Sequence, residues 1–282
     1  MGAGWLGQPL ATQLLANKQF VYATRRSAAT LEELRAHSIP CFQLSLQGHH
    51  APLNGQNDPD YTTHIVQDLI DRDIDTVIGA FPPGFRQGGG QDYANNWKTL
   101  VDCCRKAKVN KIIMVSSTSV YPDTCATMIE ADASLELAVD NDDYSNKSRI
   151  MLTAEQSVLE SKIDYVILRC SGLFGPNRHP ARFVAKLSSI SNVAPVNMVH
   201  LDDVVNAIEY SLTHINNQIV NVSTPNTVTK YQFYQQALQH YAEPITMPET
   251  NSVNTKRISA EKLLTTGFTF KFDNVLDALA HC

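Results

Sequence analysis

Short apolar runs recur along the chain, each parted from the next by room for one helix. They are FVYAT (20–24), IPCFQLSL (39–46), DTVIGAF (75–81), KIIMVSS (111–117) and DYVILRC (164–170). Their β-branched and aromatic residues hardly alternate with polar ones, the pattern of strands buried on both faces. Before and between them, segments 9–17, 29–37, 61–72, 93–107 and 148–161 read as helices; Leu10, Leu14 and Leu15 share one face of the first. Pro82-Pro83-Gly84 stops the third run, and residues 47–60, rich in Gly, Asn, Asp and Pro, read as loop. Strand alternating with helix predicts an α/β fold with a doubly wound parallel sheet. The last hundred residues are less regular: helices 202–212, 231–241 and 259–265 and a strand QIVNVS (218–223). They predict a smaller, partly interleaved α+β domain over 173–282. The main domain covers 1–172, with 198–223 returning to it.

Composition removes several classes of function. A chain of 282 residues, 43% of them hydrophobic, can bury a sizeable core. Its net charge of −5 argues against general nucleic-acid binding. No stretch approaches the ~20 apolar residues of a membrane span, and no basic-then-apolar leader opens the chain. The six cysteines form no C-x-x-C pair, so reduced thiols in a cytoplasm are expected. His49-His50 has no acidic or cysteine partner at ligand spacing, and no metal is expected there. The acidic stretch 130–143 reads as a solvated loop.

The chain opens MGAGWLGQPLA, with glycines at Gly2, Gly4 and Gly7. In a Gly-x-Gly-x-x-Gly loop the first glycine permits a tight turn and the second lets the backbone approach a pyrophosphate. The third lets helix and strand pack closely, and the helix that follows presents free N–H groups to the phosphates. About 20 residues on, where an acidic residue would bind the ribose of NAD, the chain reads Thr24-Arg25-Arg26. Arginine there suits the 2′-phosphate of NADP. NADP is the expected cofactor and NAD stays open; the other reading of Arg25 and Arg26 is a solvated helix start.

Further motifs follow in a fixed order: SSTSVYP (116–122), LRCSGLFGP (168–176), VHLDDVVNAI (199–208), the NVS strand and the closing LLTTGFTF (263–270). With the glycine loop, the set resembles an extended short-chain dehydrogenase/reductase of the NAD-dependent epimerase/dehydratase family, over essentially the whole chain. The resemblance implies a nicotinamide-dependent oxidoreductase or epimerase. Its substrate would be a hydroxyl- or keto-bearing small molecule, such as a nucleotide sugar, and a homodimer through a helix pair is common in the family. In such proteins a strand of about six residues precedes the glycine loop. The chain is therefore expected to lack that strand, and its natural product to begin upstream.

The resemblance also implies roles. Ser117 maps to the hydroxyl that orients substrate, Tyr144 to the acid/base, and a lysine four residues later should hold the nicotinamide ribose. Here the spacing departs: Lys147 comes three residues after Tyr144, Ser148 takes the expected position, and Arg149 is the other candidate. Asp142 and Asp143 beside Tyr144 would raise its pKa. The plainer reading is a surface tyrosine at a helix start, capped by Asp143 or Ser145. Trp5 and Leu6 lie against the cofactor or simply pack; Thr24, Phe81, Pro82 and Ser116 line its expected position. Arg86 and Thr118, with Arg178 and Arg182 from GPNRHPARF (175–183), are the substrate-side candidates, since arginines suit a diphosphate or carboxylate. Asp202 reads as the cap of the helix that follows. Two alternatives stay open: a non-catalytic NADP(H)-binding sensor or scaffold, and an N-terminally shortened inactive member.

Overall fold

The computed structural model describes residues 1–47, 60–85 and 90–282. It divides into two compact units that interleave in sequence. The first comprises 1–116, 146–167 and 211–218; the second comprises 117–145, 168–210 and 219–282.

In chain order, helix α1 (Gly7–Ala16) is followed by strand β1 (Ala23–Arg25), helix α2 (Leu31–Ala36) and strand β2 (Cys41–Gln43). Next come α3 (Tyr61–Asp71), β3 (Thr76–Gly79), α4 (Gly90–Lys106) and β4 (Lys111–Ser117). The middle of the chain forms β5 (Thr127–Met128), α5 (Leu135–Ala138), α6 (Asn146–Leu159), β6 (Asp164–Cys170), β7 (Gly172–Phe174) and α7 (Ala181–Val184). The remainder forms β8 (Ser189–Ser191), β9 (Met198–His200), α8 (Leu201–Thr213), β10 (Gln218–Val222), α9 (Lys230–Gln239), β11 (Glu249–Asn251), β12 (Arg257–Ile258) and α10 (Glu261–Thr265).

The strands are parallel, as the alternation predicts. β1 pairs with β2, Ala23 opposite Cys41, and β3 with β4, Thr76 opposite Lys111. A four-stranded sheet has the order β10–β6–β4–β3. KIIMVSS and DYVILRC form strands over their full predicted length. FVYAT does not: only Ala23–Arg25 is strand, and Phe20 is wholly exposed. The only strand partner of β1 among the described residues is β2, so the apolar start of that run is not covered from its other edge. IPCFQLSL likewise contracts to Cys41–Gln43.

The first helix buries Leu10 and Leu14 of its predicted face and leaves Leu15 half-buried. α1 buries Leu10, Ala11 and Leu14, and α3 buries Ile65 and Leu69. A small cluster of Ala3, Ala11, Ala23, Leu31, Leu34 and Ile39 packs the first unit beside the glycine loop. In the second, Phe174, Phe233, Phe272 and Val275 anchor a core. There α9 opens with a capping box, Thr229 accepting from Gln232 N while the Gln232 side chain accepts from Thr229 N. Asp202 is not the cap of α8: it lies within the first turn and pairs with Lys271, while the ring Nδ1 of His200 accepts the Asp202 N–H at 3.2 Å. Among the described residues no helix is long and apolar enough to cross a membrane.

Candidate active site

The three glycines of the opening loop meet three different constraints. Gly2 has φ +78°, and a Cβ there would lie 2.9 Å from the Phe81 backbone. A Cβ on Gly7 would lie 2.8 Å from the Gly2 carbonyl oxygen. At Gly4 the added Cβ meets only that same oxygen, at 4.0 Å, among the described residues. Glycine is thus needed at Gly2 and Gly7 to build the loop, while Gly4 keeps an open approach to the backbone. α1 starts directly after it. Its N-cap, Leu6, supplies no side-chain bond and its first turn holds no acidic residue. A helix leaves its first N–H groups without partners inside the helix, and they and the positive dipole end suit an anion. A dinucleotide pyrophosphate fits this loop on both counts. Leu6 itself is buried and Trp5 half-buried.

Behind the loop, Thr24 is buried and its carbonyl accepts the Ala3 N–H at 3.1 Å. Arg25 is held from two sides: its Nη2 lies 3.1 Å from Glu33 Oε2 and 3.4 Å from Gln8 Oε1. Its Nε is buried without a partner among the described residues. Arg26 is exposed, and its carbonyl accepts Gln43 Nε2 at 2.9 Å. Arg25 therefore sits beside the residue that follows the third glycine, a placement the sequence does not reveal.

Phe81 stacks on Trp97 at 4.9 Å between ring centroids and meets Tyr93 edge-on at 5.8 Å. Its backbone crowds Gly2; Pro82 beside it is exposed. Ser116 is buried and donates to Glu155 Oε1 at 2.6 Å, an acidic partner from α6.

The predicted chemistry falls in both units: Ser117 and Tyr144 in the second, Lys147 in the first. Ser117 Oγ accepts from Ser119 N at 3.1 Å, closing a short turn that includes half-buried Thr118. Tyr144 is not a surface tyrosine. It is 4% exposed, and its hydroxyl donates to the Asp132 carbonyl at 2.7 Å. Burial raises its pKa first, followed by the charge of Asp132; Arg169 opposes them and Asp143 adds a little. The expected direction holds, but the main cause is desolvation, and the leading acidic neighbour is Asp132. Lys147 is exposed, its Nζ 5.9 Å from the Phe85 ring centroid. Arg178 and Arg182 are exposed on the second unit. The Arg178 guanidinium lies over Phe183, and Arg182 Nη1 approaches the Asn177 carbonyl at 3.5 Å. Arg86, His49 and His50 lie outside the described residues.

Sequence reasoning missed a buried, heavily bonded side chain of the second unit. Arg169, 1% exposed within apolar β6, donates to the Ala133 carbonyl at 2.8 Å, the Glu130 carbonyl at 2.9 Å and the Tyr121 hydroxyl at 3.2 Å. Tyr121 donates to Asn221 Oδ1 at 2.6 Å, and Asn221 N donates to Glu130 Oε1 at 2.7 Å. This network fixes segment 130–133, whose Asp132 carbonyl holds Tyr144. A charged residue inside DYVILRC was the available signal.

A parallel α/β sheet and a glycine loop opening straight into a helix define a Rossmann-like fold. The chain belongs to the NAD dependent epimerase/dehydratase family, whose family model matches residues 2–223. It is similar to Protein YeeZ of Escherichia coli K12, 29% identical over 244 residues, covering 84% of this chain and 80% of YeeZ. Among solved structures it resembles dTDP-glucose 4,6-dehydratase from Bacillus anthracis, in complex with NAD. That match has a TM-score of 0.73 at 15% identity, over 99% of this chain and 93% of the other. It also resembles UDP-glucose 4-epimerase from Thermotoga maritima, with UDP-glucose: TM-score 0.71, 15% identity, covering 99% and 96%. Likeness at that level of identity speaks for the fold.

Proposed function

We propose that the protein binds a nicotinamide dinucleotide on the Gly2–Gly7 loop. It uses it in an oxidoreductase or epimerase reaction on a hydroxyl- or keto-bearing small molecule, with nucleotide sugars the first class to test. The observation that carries this reading is the opening loop. It holds an uncapped helix N-terminus, two glycines that steric contact requires, and a third whose side-chain position is open. The bound nicotinamide would accept or donate a hydride. Arg25, already beside Gln8, favours a 2′-phosphate and hence NADP. Cofactor binding is assigned to 1–172, with 198–223 returning to that domain, and substrate binding to 173–282; Arg178 and Arg182, together with Arg86, would meet a diphosphate or carboxylate. Ser117 and Thr118 would orient the substrate hydroxyl, Tyr144 would move its proton, and Lys147 would hold the nicotinamide ribose. The six cysteines without disulfide partners favour a reducing compartment, the cytoplasm.

The test is a fluorescence titration with NADPH and with NADH. Tight NADPH binding that Arg25→Ala weakens about tenfold, with NADH unaffected, supports the reading. No binding of either overturns it. A panel of nucleotide sugars then tests turnover.

One observation favours a second reading, a non-catalytic NADP(H)-binding sensor or scaffold. The Tyr144 hydroxyl is engaged with the Asp132 carbonyl, and its helper lysine stands three residues on instead of four. Tyr144→Phe separates the two. Turnover abolished by that change assigns the proton transfer to Tyr144; cofactor binding without turnover on any panel substrate favours the sensor.

A further inference from the structure

Arg25 stands at the end of β1 and reaches two other elements of the first unit. Its Nη2 lies 3.4 Å from Gln8 Oε1, at the start of α1, and 3.1 Å from Glu33 Oε2, in the first turn of α2. Gln8 directly follows Gly7, so the guanidinium sits against the end of the glycine loop. Its Nε is buried without a partner among the described residues. The strand end Thr24-Arg25-Arg26 holds no acidic residue, but the helix that follows brings one to it.

The nitrogen that Glu33 holds is a particular one. Arginine grips a phosphate best through two parallel N–H···O bonds. A planar guanidinium offers two forks for this: Nε with Nη2 along its side, and Nη1 with Nη2 across its end. Nη2 belongs to both, and Nη2 is the atom bonded to Glu33 and Gln8. A phosphate that arrives at Arg25 therefore meets a carboxylate on the one nitrogen common to both forks.

The two partners differ in freedom. The Arg25 side chain is 19% exposed, that of Glu33 64%. Glu33 lies in the first turn of α2, where the helix dipole favours an acidic residue with or without Arg25. An ion pair this open to water is weak, and its exposed member can turn into solvent. Glu33 is the partner that can leave, and Arg25 the one that stays.

We propose that Glu33 sets the cofactor preference of this site by competing with a 2′-phosphate for Arg25. The proposal rests on the reading that the Gly2–Gly7 loop binds a nicotinamide dinucleotide. NAD(H), whose 2′ position is a hydroxyl, leaves the Arg25–Glu33 pair in place. The 2′-phosphate of NADP(H) must displace the Glu33 carboxylate from Nη2. Glu33 thus weakens NADP(H) binding, spares NAD(H), and narrows a preference that Arg25 alone would make steeper.

The experiment titrates NADPH and NADH, by fluorescence, into the unchanged protein, Glu33→Gln, Arg25→Ala and the double variant. Glu33→Gln keeps the length of the side chain and removes its charge. It should tighten NADPH about three- to fivefold, the worth of one exposed ion pair, and leave NADH within ~1.5-fold. In the Arg25→Ala background the same change should move NADPH by less than ~1.5-fold, since Glu33 acts through Arg25. By calorimetry, adenosine 2′,5′-diphosphate should follow NADPH, and adenosine 5′-phosphate should follow NADH. Unchanged NADPH affinity in Glu33→Gln overturns the proposal and leaves the dinucleotide site standing. So does weaker NADPH binding, for then Glu33 holds Arg25 in place for the phosphate. An equal gain for NADPH and NADH overturns it too, because the effect is then not read at the 2′ position. Failure of all four proteins to bind either dinucleotide overturns the proposal together with the reading beneath it.

Discussion

Arg169 and the Met1 ammonium are both cations taken out of water, one in each compact unit, and their surroundings could hardly differ more. Arg169 spreads its donors over two carbonyls and a phenol, and that phenol is itself tied to Asn221. Met1 has the Ile78 carbonyl. A guanidinium stays charged at any ordinary pH and so needs a shell of acceptors. An amine with one acceptor gives up its proton more easily, and its pKa falls to about 6. A buried charge is at home only where the fold supplies acceptors for all of its donors. The second unit gives Arg169 three acceptors, while the first gives the Met1 ammonium one.

The largest effect should come from removing the satisfied cation. Arg169→Ala strands the Glu130 and Ala133 carbonyls and should cost about 3–5 kcal/mol in urea denaturation. A loss below ~1 kcal/mol would break the contrast.

Next comes the pH dependence, which should run in opposite directions in two windows. The unfolded chain binds the Met1 proton below about 8 and the folded chain only below about 6, so stability should rise by about 2–3 kcal/mol from pH 6 to 8. Acetylating the Met1 nitrogen should flatten that rise. Asp203 is the second unit's own exception. It is fully buried, with Oδ1 accepting Lys271 N and Oδ2 unpartnered among the described residues, and burial pushes its pKa from 3.8 up to about 6. There the folded state holds the extra proton, so stability should fall by a similar amount, about 3 kcal/mol, between pH 4 and 6. Asp203→Asn should remove the fall, read as denaturation midpoints across the pH series.

Tyr121→Phe is smaller. It removes one donor from Asn221 and one acceptor from Arg169, and should cost about 1–2 kcal/mol. Smallest of all, Arg35→Ala breaks an exposed pair with Glu32 and should change stability by less than ~0.5 kcal/mol.

The strands buried on both faces were the most legible part of the chain. KIIMVSS and DYVILRC carry their pattern from first residue to last because sheet neighbours demand it throughout. FVYAT misled because apolar content marks what a residue would prefer, whereas Phe20 is wholly exposed and Tyr22 partly so. The glycine loop was legible as spacing. Which glycines tolerate no side chain was not, since Gly2 is crowded by Phe81, far along the chain, and Gly7 by the Gly2 carbonyl, whose position the loop's conformation sets. Tyr144 could be picked out by motif, but not its bond to the Asp132 carbonyl: backbone acceptors leave no mark on residue type. Arg169 was visible as a charge in an apolar strand, yet its four-residue neighbourhood at 130–133 comes from a distant loop.

The burial of Met1 bears on how the protein is handled. An affinity tag or a protease scar joined to Met1 is not a neutral appendage here, because it turns the buried ammonium that donates to the Ile78 carbonyl into an uncharged peptide N–H. Preparations with a free and with a blocked Met1 nitrogen should therefore differ in how their melting temperature changes between pH 6 and 8.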